Sequence, residues 1–202
     1  GPVGWGVVLV NVMFGAFFGR VLLDTGIVST LIRKTVELGG DKPVVTNILL
    51  CIVSAACFTT MTGPGAVISI GVIVLPILLT LGIRKSVAVW SYVASVAAGF
   101  LLNPVIFAQY VAYFANAEGG TEYTYQDNLP WAAVTCGIMM AVILVCSSVL
   151  TIRGTKTVSA WAAPKSVPES GRVPGIALLC PIIPILLVIA FKVNVILAMI
   201  VT

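Results

Sequence analysis

Apolar positions dominate the chain in runs, and polar, glycine and proline residues mark where each run stops. A bilayer-crossing helix needs about 20 predominantly apolar residues, and the first run, Trp5 to Leu23, meets that length. It carries Gly15 and Gly19 four apart, a spacing that lets two helices approach closely. In residues 26–39, Val28, Leu31 and Ile32 share one helical face while Arg33, Lys34 and Glu37 point elsewhere. This pattern predicts an amphipathic helix lying in a membrane interface, ended by Gly39-Gly40, with Pro43 opening the next helix. Residues 44–83 are apolar but interrupted, with arms 44–58 and 66–83 on either side of Thr59-Thr60-Met61-Thr62-Gly63-Pro64-Gly65. A further run, 86–114, breaks at Asn103-Pro104. A polar loop at 117–128 precedes a span over 130–152, introduced by Trp131 at the interface. A loop over 153–174 leads to a last run from 175 to 202, which contains Lys192 and Asn194 and in which Pro181 and Pro184 predict a kink.

Charge orients these segments. Ten of the eleven basic residues lie in or beside the loops at Arg20, Arg33-Lys34, Lys42, Arg84-Lys85 and 153–174, whereas the 117–128 loop carries only Glu118, Glu122 and Asp127. Basic loops stay cytoplasmic, so run 86–114 goes outward and run 130–152 returns. Lys42 and Arg84-Lys85 then place both ends of 44–83 on one side. Each arm is about 22–27 Å long at 1.5 Å per residue, slightly short of a full crossing. A re-entrant hairpin is favoured over two short spans joined by an outer turn.

Composition agrees with this organisation. The 202 residues are 59% hydrophobic and 9% charged, with mean hydropathy +1.13, where a soluble domain carries roughly 25% charged residues. The net charge of +4 follows from loop topology, so no nucleic-acid partner is expected. Cys51, Cys57, Cys136, Cys146 and Cys180 all sit in apolar runs without metal-ligand spacing and read as small packing residues. With no histidine, no phosphate-binding glycine loop and no catalytic pair of carboxylates, neither an enzyme nor a cofactor is expected. The chain starts without Met and stops inside an apolar run, and no signal peptide precedes the first run, so it reads as a piece of a longer protein.

The richest stretch chemically is Thr59 to Ala66. Pro64 lacks an N–H and Gly63 and Gly65 tolerate positive φ, so the helix unwinds there. Unwound backbone at membrane depth survives only when buried in protein or lining a wet cavity. Three threonine hydroxyls beside the free N–H groups of a starting helix suit an anion. Asn103-Pro104 is the second break, and its amide can meet a cation or a solute hydroxyl. Arg20 with Asp24-Thr25 reads as an interfacial ion pair and helix end. Lys192 is either an intramembrane charge or the marker of a helix's outer end.

These features resemble the ion transporter superfamily, in particular its gluconate/citrate permease-like members. The likeness rests on Gly15-x-x-x-Gly19 followed by Leu22-Leu23-Asp24-Thr25-Gly26, on Leu31-Ile32-Arg33-Lys34, and on Thr62-Gly63-Pro64-Gly65-Ala66 running into Val74-Leu75-Pro76 and Leu81-Gly82. It covers roughly residues 10–110. The resemblance implies an all-α membrane protein of five to six hydrophobic helical segments, forming one half of an inverted-repeat transporter with a re-entrant or broken-helix hairpin. It also implies that the hairpin tip and the following break bind substrate and Na⁺, which carries over to Thr59, Thr60, Thr62, Gly63, Gly65 and Asn103. The Ser-Asn-Thr tip of dicarboxylate carriers is replaced here by Thr-Gly-Pro-Gly. The expected function is secondary transport of a small organic anion, a carboxylate or sugar acid, coupled to Na⁺ or H⁺ in a bacterial inner membrane, with a homodimer as the expected assembly. The alternatives are a Na⁺/H⁺ antiporter, which needs a membrane-buried carboxylate where every acid here lies near a loop, an amino-acid carrier, or a channel or structural membrane subunit.

Overall fold

The computed structural model of the protein describes residues 5–114, 123–154, 175–191 and 195–202, and among these the chain is helical, with no strand. Helix α1 (Gly6–Asp24) ends where the Thr25 hydroxyl and N–H both donate to the Val21 carbonyl. Gly26 follows at φ 74°, a left-handed conformation open to a residue without Cβ. The chain bends by 59° there into α2 (Ile27–Gly39). Arg20 Nε meets Asp24 Oδ2 at 2.9 Å on the exposed surface, the ion pair expected from the sequence. In α2 the charged face is exposed and Arg33 pairs with Glu37. Its apolar face does not wait for lipid: Val28 and Ile32 are fully buried in the protein core together with Leu22.

Helices α3 (Pro43–Phe58) and α4 (Pro64–Thr80) form the two arms of the 44–83 segment. Both are apolar and shorter than a full span, about 24–26 Å each at 1.5 Å per residue. Gly82, at φ 79°, turns the chain into α5 (Lys85–Leu101). The expected break at Asn103-Pro104 separates α5 from α6 (Pro104–Phe114), with a bend of 65°. Proline has no N–H for the preceding turn and crowds its carbonyl, so α5 stops. Helix α7 (Tyr125–Gly154) begins five residues before the predicted span, inside the expected polar loop. The cause is local: the Thr124 hydroxyl accepts from the Asp127 N–H, and the Asp127 carboxylate accepts from the Thr124 N–H at 3.0 Å. Reciprocal pairing of this kind starts a helix.

The last run is not one continuous helix. A 3₁₀ turn (Gly175–Leu179) precedes α8 (Ile183–Phe191) and α9 (Val195–Val201). Pro181 lies in the turn between 3₁₀ segment and α8, and Pro184 occupies the first turn of α8, so the prolines divide the run. Lys192, Asn194, residues 155–174 and residues 115–122 lie outside the described residues.

Side-chain pairings set the packing order. Asn47 meets Ser91 near the starts of α3 and α5, and Ala55 and Phe58 abut Gly99 near their ends, so these two helices run side by side in one direction. A Cβ on Gly99 would clash with the Ala55 carbonyl and lie 2.9 Å from Phe58 Cβ, which explains the glycine at this approach. Helix α7 runs against both, with Thr151 beside Asn47 and Cys136 beside the Ala98 carbonyl. A polar seam threads the three helices: Asn47 Nδ2 donates to Thr151 Oγ1 at 3.1 Å, and the Ser91 and Ser147 hydroxyls lie 3.0 Å apart. Interhelical hydrogen bonds and small residues are a recurring means by which apolar helices adhere.

Among the described residues one helix, α7, is long and apolar enough to cross a membrane, or up to three spans if each bent pair counts as one. The outward faces are apolar: Met13 is 70%, Phe17 67%, Trp131 72% and Ile138 62% exposed.

Candidate functional site

The tip between α3 and α4 is built from backbone that neither helix can use. Beyond Phe58, the Thr59 and Thr60 N–H groups reach back three residues to the Ala56 and Cys57 carbonyls, at 3.3 and 3.4 Å. Gly63 then adopts φ 93° and ψ 154°, and Pro64 enters as the first residue of α4 without a side-chain cap. A left-handed φ followed by proline is a combination that glycine supplies at little steric cost.

Each predicted site residue falls at this tip or against it, with distinct roles. The Thr59 hydroxyl donates to the Ala56 carbonyl at 2.7 Å, closing the end of its own helix. The Thr60 hydroxyl donates to the Pro181 carbonyl at 2.7 Å, tying the tip to a segment 121 residues away. Asn103 is wholly buried, and its Nδ2 donates to the Phe58 and Met61 carbonyls at 3.0 and 3.1 Å. Its Oδ1 accepts from the Val105 and Ile106 N–H groups, at 2.9 and 3.3 Å, which caps α6. An amide has two donors and two acceptor sites, so Asn103 is fully engaged with backbone. It joins the two breaks and holds their shape, a positioning role in place of the expected solute contact. The Tyr125 hydroxyl donates to the Leu102 carbonyl at 2.7 Å, pinning the same break to α7.

Thr62 differs from its neighbours. It is 4% exposed, and its hydroxyl is the buried side-chain oxygen without a hydrogen-bond partner among the described residues. It faces α1: a Cβ placed on Gly15 would stand 2.8 Å from Thr62 Oγ1 and 3.2 Å from a Val105 methyl. One turn along, Gly19 lies over Met61. The small pair noted in the sequence is therefore the face of α1 that lets the tip sit flush against it. Phe58 and Phe100 pack edge-on beneath, with ring centroids 5.6 Å apart.

The opposite side of the tip is open. Added Cβ atoms at Gly63 and Gly65 would meet nothing within 4 Å, and Pro64 and Gly65 are exposed. First-turn N–H groups have no intrahelical acceptor, so Gly65 and Ala66 present theirs there. Four carbonyls around the break are engaged: Ala56 by Thr59, Cys57 by Thr60 and Met61, and Phe58 and Met61 by Asn103. The tip thus retains donors on two sides, the Thr62 hydroxyl toward α1 and the first N–H groups of α4 opposite it.

Comparison with family models, with curated proteins and with solved structures yields no match. Residues that the sequence reading did not tie to the tip are Gly15, Gly19, Pro181 and Tyr125. The signal present for the first two was their four-residue spacing. For Pro181 the contribution is a main-chain carbonyl, which its side chain does not announce.

Proposed function

We propose that the chain is a membrane-embedded part of a secondary active transporter, one half of an inverted-repeat protein, carrying a small organic anion such as a carboxylate or sugar acid under a Na⁺ or H⁺ gradient by alternating access in a bacterial inner membrane. The observation that carries this reading is the donor-rich tip where two helix breaks meet. Broken helices that aim first-turn N–H groups at an anion are a recurring solution in transporters.

Support for the membrane reading comes from the outward apolar faces and from the level at which α3 ends. Cys136 donates to the Ala98 carbonyl, next to Gly99, which abuts Phe58. Pro130, where the apolar part of α7 starts, is about 9 Å further along the helix at roughly 1.5 Å per residue. The end of α3 is thus level with the apolar part of α7, and the Asn103 break beyond it is tied to Tyr125 at the start of α7. Among the described residues no buried carboxylate accompanies it, since Asp24, Glu37, Asp41 and Asp127 are all exposed, and this weighs against the antiporter.

The test is uptake of labelled gluconate, citrate and succinate into proteoliposomes containing the complete gene product, with and without Na⁺ and H⁺ gradients. Saturable, gradient-dependent uptake that falls on Thr62→Val supports the carrier and the tip together. Absence of organic-anion uptake alongside Na⁺/H⁺ exchange in the same vesicles overturns it in favour of the antiporter.

A further inference from the structure

The surface of α5 carries a second feature, separate from the tip. A shallow groove of ≈ 910 Å³ runs along the outward face of this helix. Its head is basic and polar, formed by Arg84, Lys85 and Ser86, all exposed. Its body is apolar, formed by Val89, Trp90, Val93 and Ala97. Val93 is 55% exposed and Trp90 39%. Arg84 lies over the end of α7, with its Nε 4.0 Å from where a Cβ on Gly154 would stand, and Arg153, also exposed, precedes Gly154 in the last turn of α7. None of these three cations has a carboxylate within ion-pair distance among the described residues. The start of α5 also has no side-chain cap, so the first N–H groups of the helix face the same basic end.

From this we infer that the groove is a binding site for one anionic phospholipid of the cytoplasmic leaflet, an inference that rests on the membrane reading above. The match is one of charge and length together. From Arg84 to Ala97 the groove extends about 20 Å at 1.5 Å per residue, and one leaflet of the hydrocarbon core is about 15 Å deep. A headgroup phosphate meets Arg84, Lys85 and the first N–H groups, where a helix start favours negative charge. An acyl chain lies along Val89, Trp90 and Val93, and the indole ring sits close below the headgroup layer. The basic loops mark this end as cytoplasmic, the side on which anionic lipid concentrates.

The test uses the complete gene product with Trp90 as its sole tryptophan (W5F, W131F, W161F), reconstituted in vesicles of phosphatidylcholine and phosphatidylglycerol. Tryptophan emission is quenched by bromine on the acyl chains of one lipid or the other. The expected result is that brominated phosphatidylglycerol competes for the Trp90 site at least about fivefold better than brominated phosphatidylcholine, the factor one well-placed cation supplies. Arg84→Gln with Lys85→Gln, both exposed positions, brings the ratio close to one. A second protein retaining only Trp131, near the other end of α7, shows no such preference. Equal quenching of Trp90 by the two lipids, or a preference that survives the double substitution, overturns the lipid site. Trp90 unquenched by every lipid while Trp131 is quenched also overturns it and assigns the face to a protein partner. Neither tryptophan quenched defeats the membrane reading itself.

Discussion

Replacing Thr62 with valine exchanges one buried hydroxyl for a methyl group of nearly the same size, and the two consequences point in opposite directions. In the fold described, the hydroxyl has no partner and is 4% exposed. A buried polar group without a hydrogen bond costs about 1–3 kcal/mol in water-soluble proteins, and interhelical hydrogen bonds in membranes average about 0.6 kcal/mol. Thr62→Val is therefore expected to leave stability unchanged or raise it by up to about 1–2 kcal/mol. Room for the methyl exists because Gly15 has no Cβ opposite it. Under the proposed function, transport moves the other way. A hydrogen bond to a charged group contributes about 1.5–3 kcal/mol, so the loss of this donor lowers kcat/KM for the solute by roughly tenfold to a hundredfold. Thr62→Ser keeps the donor and stays within about threefold, a difference of less than 1 kcal/mol.

Stability is read in detergent with a thiol-reactive dye, since Cys51, Cys57 and Cys136 are free and buried and react as the fold opens. Transport is read by the proteoliposome uptake described above. A valine variant that loses more than about 1 kcal/mol of stability, the range of a lost hydrogen bond, while transporting normally refutes the reasoning, because the hydroxyl then has a structural partner. A variant unchanged in both respects places the solute elsewhere.

Asn103→Ala removes four hydrogen bonds at once, leaving two buried carbonyls and two N–H groups without partners. It is expected to cost about 2–4 kcal/mol, taking about 0.6–1 kcal/mol per bond, in the same dye assay. Gly15→Ala and Gly19→Ala form a matched pair on one helix: the first places a Cβ 2.8 Å from Thr62 Oγ1, the second leaves ordinary contact at 3.5 Å from Met61. Overpacking costs about 1–3 kcal/mol, so Gly15→Ala is the destabilised member and Gly19→Ala stays within about 0.5 kcal/mol. Gly65→Cys in a cysteine-free background is expected to react with impermeant reagent slowly and to be protected by transported solute. Fast labelling from outside, unaffected by solute, supports an outer turn instead of a re-entrant tip.

Most of the fold is legible in the chain because bilayer-length apolar runs and their breaks are local properties. The stops at Asp24-Thr25-Gly26, at Gly63-Pro64 and at Asn103-Pro104 are written in residues that end helices wherever they occur. The start of α7 at Tyr125 was hidden because a Thr124–Asp127 capping box outweighed the polar look of the loop. The buried apolar face of α2 was hidden for another reason. Amphipathicity gives the direction of an apolar stripe, while what covers it, here protein core around Leu22, depends on where the next helices pack. The seam of Asn47, Ser91, Ser147 and Thr151 had a signal, polar residues inside otherwise apolar helices, whose meaning needs all three helices side by side.

The sequence names the polar groups at the tip but does not say which of them are left over once the chain has folded, and that remainder decides the chemistry. Three threonines on an apolar hairpin look equivalent. Thr60 is taken by the carbonyl of Pro181, and Thr59 by its own helix. The asparagine that reads as a ligand spends its whole hydrogen-bonding capacity on backbone. Asn103 takes the Phe58 and Met61 carbonyls with its Nδ2 and so removes two acceptors from the neighbourhood of the tip. Gly65 and Ala66 N–H groups and the Thr62 hydroxyl remain to donate, and an anion is the complement of that remainder. Converting Asn103 to a residue unable to bridge therefore frees the Phe58 and Met61 carbonyls and erases the bias. The expected signature is a loss of discrimination between organic anions and inorganic cations in vesicle flux, larger than the loss of folded protein accounts for. An Asn103→Ala protein that keeps full anion selectivity in its folded fraction would break the link between the clamp and the chemistry of the tip.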